Sequence, residues 1–337
     1  MFLRNYWYAS AWAHELAHGM LARRILDEPV LLYRTAAGRP VALADMCCHR
    51  QLPLSMGRRV GDNIQCGYHG FTYDASGRCV RIPGQDRIPE TARVRSYPVC
   101  QRWGWVWVWM GDPEAADEAL VPDAHWMEAE GWTAVGDLIA LDCRYELIRD
   151  NLVDLSHITF AHQSTIGTTM VAETPVTTEA AEAGVRVVRE MRDIEPPPFF
   201  QRLAGFETNI DRWQIIDWTP PANIIIEAKA LPHGSNDWTE GVETQVINFI
   251  TPETPHSCHY FWAHARNRAV GNTGISKMVH ADVMRTFAED KAIVEAQERR
   301  IREYPDHATT DARFDSGDLQ VRRISRRLLE AEAAGRA

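Results

Sequence analysis

The sequence predicts an α+β protein in two parts: an N-terminal domain built of strands, and a C-terminal α+β domain whose antiparallel sheet is flanked by helices. Three observations carry this. The first third of the chain breaks into short apolar runs separated by turns rich in Gly and Asp, the mark of hairpins. Near residue 141 the apolar spacing changes to a helical period. Strand-like runs return over 185–191, 211–230 and 242–263, and a final stretch, 276–304, holds neither Gly nor Pro and reads as one long helix.

Taken in order, "PVLLYRTAAGRPVALADM" reads as a hairpin around an Ala-Ala-Gly turn, and "GFTYDASGRCV" as a second around Asp74–Gly77. "WGWVWVWMGDP" is expected to set Trp103, Trp105, Trp107 and Trp109 on one face of a strand, a buried face rather than a ligand platform. The acidic "PEAADEALVP", from Pro113 to Pro122, is the expected passage between domains. Beyond it, "LDCRYELIRDNLVDLSHITFAH" is helical in pattern. In the tail, Arg322, Arg323, Arg326 and Arg327 recur at helical spacing and read as a solvated face. No internal repeat is evident.

The totals limit the function classes. The 337 residues are 45% hydrophobic and 24% charged, with a net charge of −10 and no basic block, which argues against binding nucleic acid. The first twenty residues lack a signal peptide's apolar run, and no stretch approaches the ~18 apolar residues of a membrane span. A cytoplasmic protein with no membrane role is expected. Seven cysteines are too few and unpaired in number for a disulfide framework, and in a reducing compartment their grouping with histidines points to metal.

Two constellations fit that reading. Cys47-Cys48-His49 offers a thiolate and an imidazole in C-x-H spacing; sixteen residues separate it from Cys66-Gly67-Tyr68-His69, a C-x2-H. Zinc accepts two Cys and two His, but familiar zinc loops pair like with like. Mixed loops suit a two-iron cluster with cysteines on one iron and histidines on the other, the Rieske arrangement. Gly57, Gly67 and Gly70 would let backbone approach such a cluster closely.

The second constellation is "DNLVDLSHITFAH", from Asp150 to His162. On one continuous helix Asn151, Asp154 and His157 share a face. His157 and His162 stand about 140° apart on an ideal helix, so the helix must end or distort for both to converge. Two histidines want a third ligand. The long helix stacks Val283, Phe287, Asp290, Ile293 and Val294 on one face, where an unpaired carboxylate is unfavourable and a metal is a natural partner. Glu289 and Glu295 fall elsewhere on the wheel and read as solvated. Two His and one carboxylate with open positions form the mononuclear non-haem Fe(II) site of oxygenases, although zinc hydrolases also use that set.

The stretch "CCHRQLPLSMG…QCGYHGFTYDASGRCVRIPGQ" resembles the Rieske domain of ring-hydroxylating oxygenases. "DNLVDLSHITFAH", "FAEDKAIVEAQERR", "PPPFFQR", "DRWQIIDWTPPANIIIEAKA" and "INFITPETPHSCHYFWAHARN" extend the likeness over nearly the whole chain, to oxygenase components of the vanillate O-demethylase and dicamba monooxygenase kind. The resemblance implies an N-terminal all-β Rieske [2Fe-2S] domain, 1–125, and a C-terminal catalytic mononuclear iron domain, 126–337. It implies that Cys47, His49, Cys66 and His69 hold the cluster, that His157, His162 and Asp290 hold the second iron, and that Asn151 lies near it. It further implies head-to-tail homotrimers in which Asp154 links this iron to His69 of a neighbouring subunit.

The activity so implied is that of a terminal oxygenase. It takes O2 and electrons from a separate NAD(P)H-dependent reductase or ferredoxin, and no G-x-G-x-x-G nucleotide signature is evident in the chain itself. The expected reaction hydroxylates the methyl group of a methoxylated aromatic acid, giving a hemiacetal that collapses to phenol and formaldehyde. Methyl oxidation of an aryl sulfonate is the alternative within the family. Ile224, Ile226, Asn248, Ile250 and Phe261 are the candidate substrate contacts. Dicamba-oxidising relatives carry His at the position of Asn248 and a polar residue at that of Ile226, which favours a vanillate-like substrate over dicamba. An electron-transfer Rieske protein without its own catalytic iron, and a zinc-binding regulatory module, are the alternatives from other classes.

Overall fold

A computed structural model describes residues 1–163 and 165–335, without the side chain of His18. The chain divides into two compact units, Met1–Pro122 with Thr251–Pro255, and Asp123–Ile250 with the residues from His256 onward. No helix is long and apolar enough to cross a membrane among the described residues.

The first unit is β throughout, apart from short 3-10 turns. A three-stranded sheet runs Trp7–Trp12, Trp105–Trp109, Val99–Arg102. A four-stranded sheet is ordered Leu21–Ile25, Glu28–Arg34, Pro40–Ala44, Ser96–Tyr97. A second, smaller four-stranded sheet is ordered Arg58–Val60, Asn63–Gln65, Thr72–Tyr73, Cys79–Arg81. The tryptophan row needs one correction. Trp105, Trp107 and Trp109 lie buried on the strand, but Trp103 (φ +57°) and Gly104 (φ +84°) form the two-residue hairpin turn before it. A turn of that hand requires positive φ at both positions, which takes Trp103 off the strand face.

The second unit is a seven-stranded antiparallel sheet in the order Thr133–Leu141, Ser257–Arg266, Val242–Thr254, Asn223–Pro232, Ile210–Thr219, Gly184–Ile194, Thr177–Ala181. Helices pack on it: α1 (Tyr145–Val153), α2 (Ile158–Ala161), α3 (Thr169–Glu173), α4 (Pro198–Ala204), α5 (Thr273–Glu303) and α6 (Ser316–Ala333). Asn272 caps α5 by accepting from Ile275 N at 3.1 Å, and the helix buries Val279, Val283, Phe287, Asp290 and Val294 at three-to-four spacing. Ile293, expected on that face, is 39% exposed.

The helix expected over 141–162 is two helices. Leu141 closes a strand, α1 ends at Asp154 (φ −103°, ψ 108°), and a 3-10 turn, Leu155–His157, leads into α2. Asn151, Asp154 and His157 therefore do not share one continuous helix face. The tail arginines Arg322, Arg323, Arg326 and Arg327 are all exposed, as a solvated face requires, and Arg322 also pairs with Asp150, with Nη2 to Oδ2 at 2.8 Å.

Candidate metal centres and substrate cavity

In the first unit the two ligand loops have the same build. Cys47 N–H donates to Leu52 O at 2.9 Å and Cys66 N–H to Phe71 O at 2.8 Å. Four residues beyond each cysteine the chain turns left-handed, at Gln51 (φ +57°) and Gly70 (φ +72°). Gly57 allows the loops to close on each other, since a Cβ there would lie 2.2 Å from Gln65 O. Cys47 and Cys66 are buried side by side with their thiols in contact, while the His49 and His69 rings stand at the exposed rim, 4.6 Å between centroids. A tetrahedral zinc with ligand bonds of about 2.0–2.3 Å needs all its donors mutually close. Among the described residues the only group of three or more such donors within 4.8 Å of one another is His157, His162 and Asp290. A separated cysteine pair and histidine pair fits a two-iron cluster better than one zinc.

Cys48, unlike the buried pair, is exposed. Its Sγ lies 3.2 Å from Tyr73 Oη, which also sits 3.1 Å from Cys47 Sγ. Cys48→Ala should therefore keep wild-type iron and acid-labile sulfide, and Cys47→Ala should lose the cluster. Equal loss in both variants, measured by sulfide content and visible absorption, would refute the assignment.

In the second unit the break at Asp154 brings the other donors together. Asp154 Oδ1 accepts from Ser156 N at 2.8 Å, capping the turn that carries His157. His157 Nδ1 donates to Asp154 O at 2.7 Å, and His162 Nδ1 bonds Glu289 Oε2 at 2.7 Å. With both Nδ1 atoms engaged, both Nε2 atoms turn toward Asp290 Oδ1, at 3.4 Å and 3.1 Å. Asn151 Nδ2 donates to the same oxygen at 3.1 Å. Burial alone would raise the Asp290 carboxyl; the two imidazoles more than reverse this and draw it down to about 2. Burial likewise works against a charged His162, but Asp290 and Glu289 raise its pKa overall. Two imidazole nitrogens and a carboxylate oxygen aimed at one point fit a mononuclear ferrous ion with open positions.

Glu289 and Glu295 correct the solvated reading. Glu289 orients His162, and Glu295 accepts from Asp142 N at 2.9 Å. A helix wheel shows only the helix's own faces, not the loops that reach over them.

A cavity of about 100 Å³ opens beside the three donors, between the helices and the sheet. Leu155, Ile158, Phe199, Phe200, Val283 and Phe287 make its apolar walls. Of the five expected substrate contacts only Ile226 lines it. Ile224 and Asn248 share its sheet face but lie further along their strands, and Asn248 is spent on Ile224 O at 3.0 Å and Tyr260 Oη at 2.7 Å. Ile250 is packed in the core, and Phe261 alternates to the face opposite His264. Arg212, Gln214, Thr244 and His264 line the cavity instead. Their signal in the sequence is polar residues at inward positions of a period-2 pattern.

Residues 6–98 match the Rieske [2Fe-2S] domain family, and residues 141–331 the vanillate O-demethylase oxygenase C-terminal domain family. The chain is 37% identical to the iron–sulfur subunit of the toluene-4-sulfonate monooxygenase system of Comamonas testosteroni, covering 100% of both chains. It is 36% identical to the vanillate O-demethylase oxygenase subunit of a Pseudomonas species, over 98% of this chain and 96% of that one. The crystal structure of dicamba monooxygenase bound to 3,6-dichlorosalicylic acid superposes with a TM-score of 0.94 at 31% identity, over 99% of each chain. The same enzyme has been solved with non-haem iron and dicamba.

Proposed function

The chain belongs to the Rieske non-haem iron oxygenases with a vanillate O-demethylase type C-terminal domain, and on that premise we propose that it oxidises the methyl carbon of a methoxylated aromatic acid. It is the oxygenase component of a multicomponent monooxygenase, using a Rieske cluster, a mononuclear iron and O2, with electrons from a separate reductase. The observation that carries the proposal is the His157–His162–Asp290 group opening on an apolar cavity. When bound, the iron supplies O2 activation.

The chain's own residues would do the rest. Cys47, Cys66, His49 and His69 hold the cluster. His157, His162 and Asp290 hold the iron. Asn151 steadies the Asp290 carboxylate, while Asp154 O and Glu289 fix the imidazoles. Phe199, Phe200 and Phe287 exclude water from the substrate ring. In this reading 1–125 is the electron-carrying domain and 126–337 the catalytic one. The protein works in the cytoplasm as a homotrimer in which Asp154 meets His69 of the next subunit.

Methyl oxidation of an aryl sulfonate is the second reading, favoured by the 37% identity to the toluene-4-sulfonate enzyme. Purified protein should carry three irons and two acid-labile sulfides per chain. Supplied with a reductase, it should release formaldehyde from methoxybenzoates; hydroxymethyl products from toluenesulfonate would select the second reading. Two irons per chain and no product from either class would overturn both.

A further inference from the structure

The strand Ile210–Thr219 buries Ile210, Arg212, Gln214, Ile216 and Trp218 on one face. Period-2 alternation asks that face for apolar side chains, and Arg212 and Gln214 break the rule. Both line the cavity that contains the His157, His162 and Asp290 donors.

Arg212 is 2% exposed, and among the described residues no carboxylate pairs with it. Asp282, on the same cavity wall, is already bonded to Arg202 Nη2 at 2.6 Å. The guanidinium has one long contact, Nη1 to Ile166 O at 3.4 Å; its Nε is buried without a partner, and the Phe200 ring lies 5.1 Å away. Burial, with Arg189 nearby, lowers its pKa to about 10, which still leaves it charged at neutral pH.

Arg189 shows what a satisfied neighbour looks like. It bonds Thr174 O, Gln214 Oε1 and Ser156 Oγ at 3.2, 3.2 and 2.8 Å. Gln214 gives its oxygen to Arg189, so the rest of its amide is a donor. His264, 3% exposed on the same cavity, has a buried Nδ1 with no partner.

An uncompensated guanidinium in an apolar cavity is unfavourable for the empty protein and becomes favourable when a ligand brings the counter-charge. Its planar fork matches two oxygens of one anionic group. We propose that Arg212, assisted by Gln214 and His264, is the anion anchor of the substrate cavity, and that the substrate is an aryl carboxylate or sulfonate whose charged group sits on the sheet floor while its methyl or methoxy carbon faces the iron ligands on the helices. This rests on the reading of the cavity as the oxygenase substrate site.

Titration calorimetry on the anaerobic, metal-loaded protein tests it with three ring-matched probes: 4-methoxybenzoate, 4-methoxybenzenesulfonate and uncharged 4-methoxybenzamide. Wild type should bind at least one anion about tenfold or more tighter than the amide, and the preferred anion distinguishes carboxylate from sulfonate. Arg212→Met should weaken that anion roughly 10- to 100-fold, the range of charged hydrogen bonds, and leave amide binding within about threefold. Arg212→Lys, which keeps the charge without the fork, should fall between. Ligand-free Arg212→Met should melt no lower than wild type, because it sheds a buried unpaired charge; a merely structural arginine would lower the melting temperature. Equal wild-type affinity for anion and amide, or an unchanged anion preference in Arg212→Met, overturns the proposal. If Arg212→Met fails to fold, the wild-type comparison and Arg212→Lys decide it. Failure of the oxygenase reading would show separately, as no product from any probe despite an intact anion preference.

Discussion

Asp290→Ala is expected to give a folded protein that retains two irons per chain, loses the third, and turns over no substrate. Asp290 Oδ1 is the one point on which His157 Nε2, His162 Nε2 and Asn151 Nδ2 converge. Alanine preserves α5, whose geometry depends on its own backbone and the apolar stripe around Val283 and Val294. It leaves two imidazoles, one ligand short of a facial triad. Glu289, the next carboxylate on the helix, cannot step in, because it is held on the far side of the His162 ring by Nδ1. Glu289→Gln should be milder, weakening iron binding roughly 10- to 100-fold, as loss of a group that orients a ligand histidine does. Metal analysis beside the visible spectrum of the cluster checks both variants. Three irons per chain and normal turnover in Asp290→Ala would remove this residue from the site.

The two candidate donor groups were legible in sequence for different reasons. Cys47, His49, Cys66 and His69 lie within short loops, where spacing groups them as donors, and the resemblance implies which of them share an iron. Asp290 required a helix wheel, and α5 obeys it because a long helix without Gly or Pro keeps its phase. The spacing of His157 and His162 required the helix to end or distort, but the place of the break, at Asp154, was hidden. Nothing in "NLVDLSH" is a helix breaker, and the turn forms because Asp154 caps it while His157 is drawn back to Asp154 O. The cavity was the least legible part. Alternation assigns Ile224, Ile226 and Asn248 to one sheet face, but only tertiary packing decides which stretch of that face lies open beneath the helices. Arg212 and Gln214 show in the sequence only as breaches of the alternating pattern.

Asp154→Asn is expected to load both metal centres normally and still lose turnover, by about 100-fold or more, the scale on which a misaligned reacting partner slows an enzyme. The metals should survive because the hydrogen bonds that hold the Asp154 turn survive, although buried Arg189 loses a nearby opposite charge. Asparagine caps as well as aspartate, so its Oδ1 can keep the Ser156 N–H, and His157 leans on the backbone carbonyl, which the substitution does not touch. What changes is the other end of the side chain. Asp154 lines a recess of about 260 Å³ with Asp150, His157, Asp318 and Arg322. Asp318 is pushed up to about 9 by burial and by the charges of Asp150 and Asp154, so the acidic character of the recess rests on those two and on Asp315. An imidazole N–H arriving from His69 of another subunit would meet the free carboxylate oxygen of Asp154. With Oδ1 committed to the cap, the asparagine presents its NH2 there, and donor faces donor. Rapid mixing separates the steps: cluster reduction by the reductase should proceed at the wild-type rate, and substrate-dependent reoxidation should be the slow phase. Wild-type reoxidation in Asp154→Asn would rule out a bridging role and leave Asp154 as a helix cap alone.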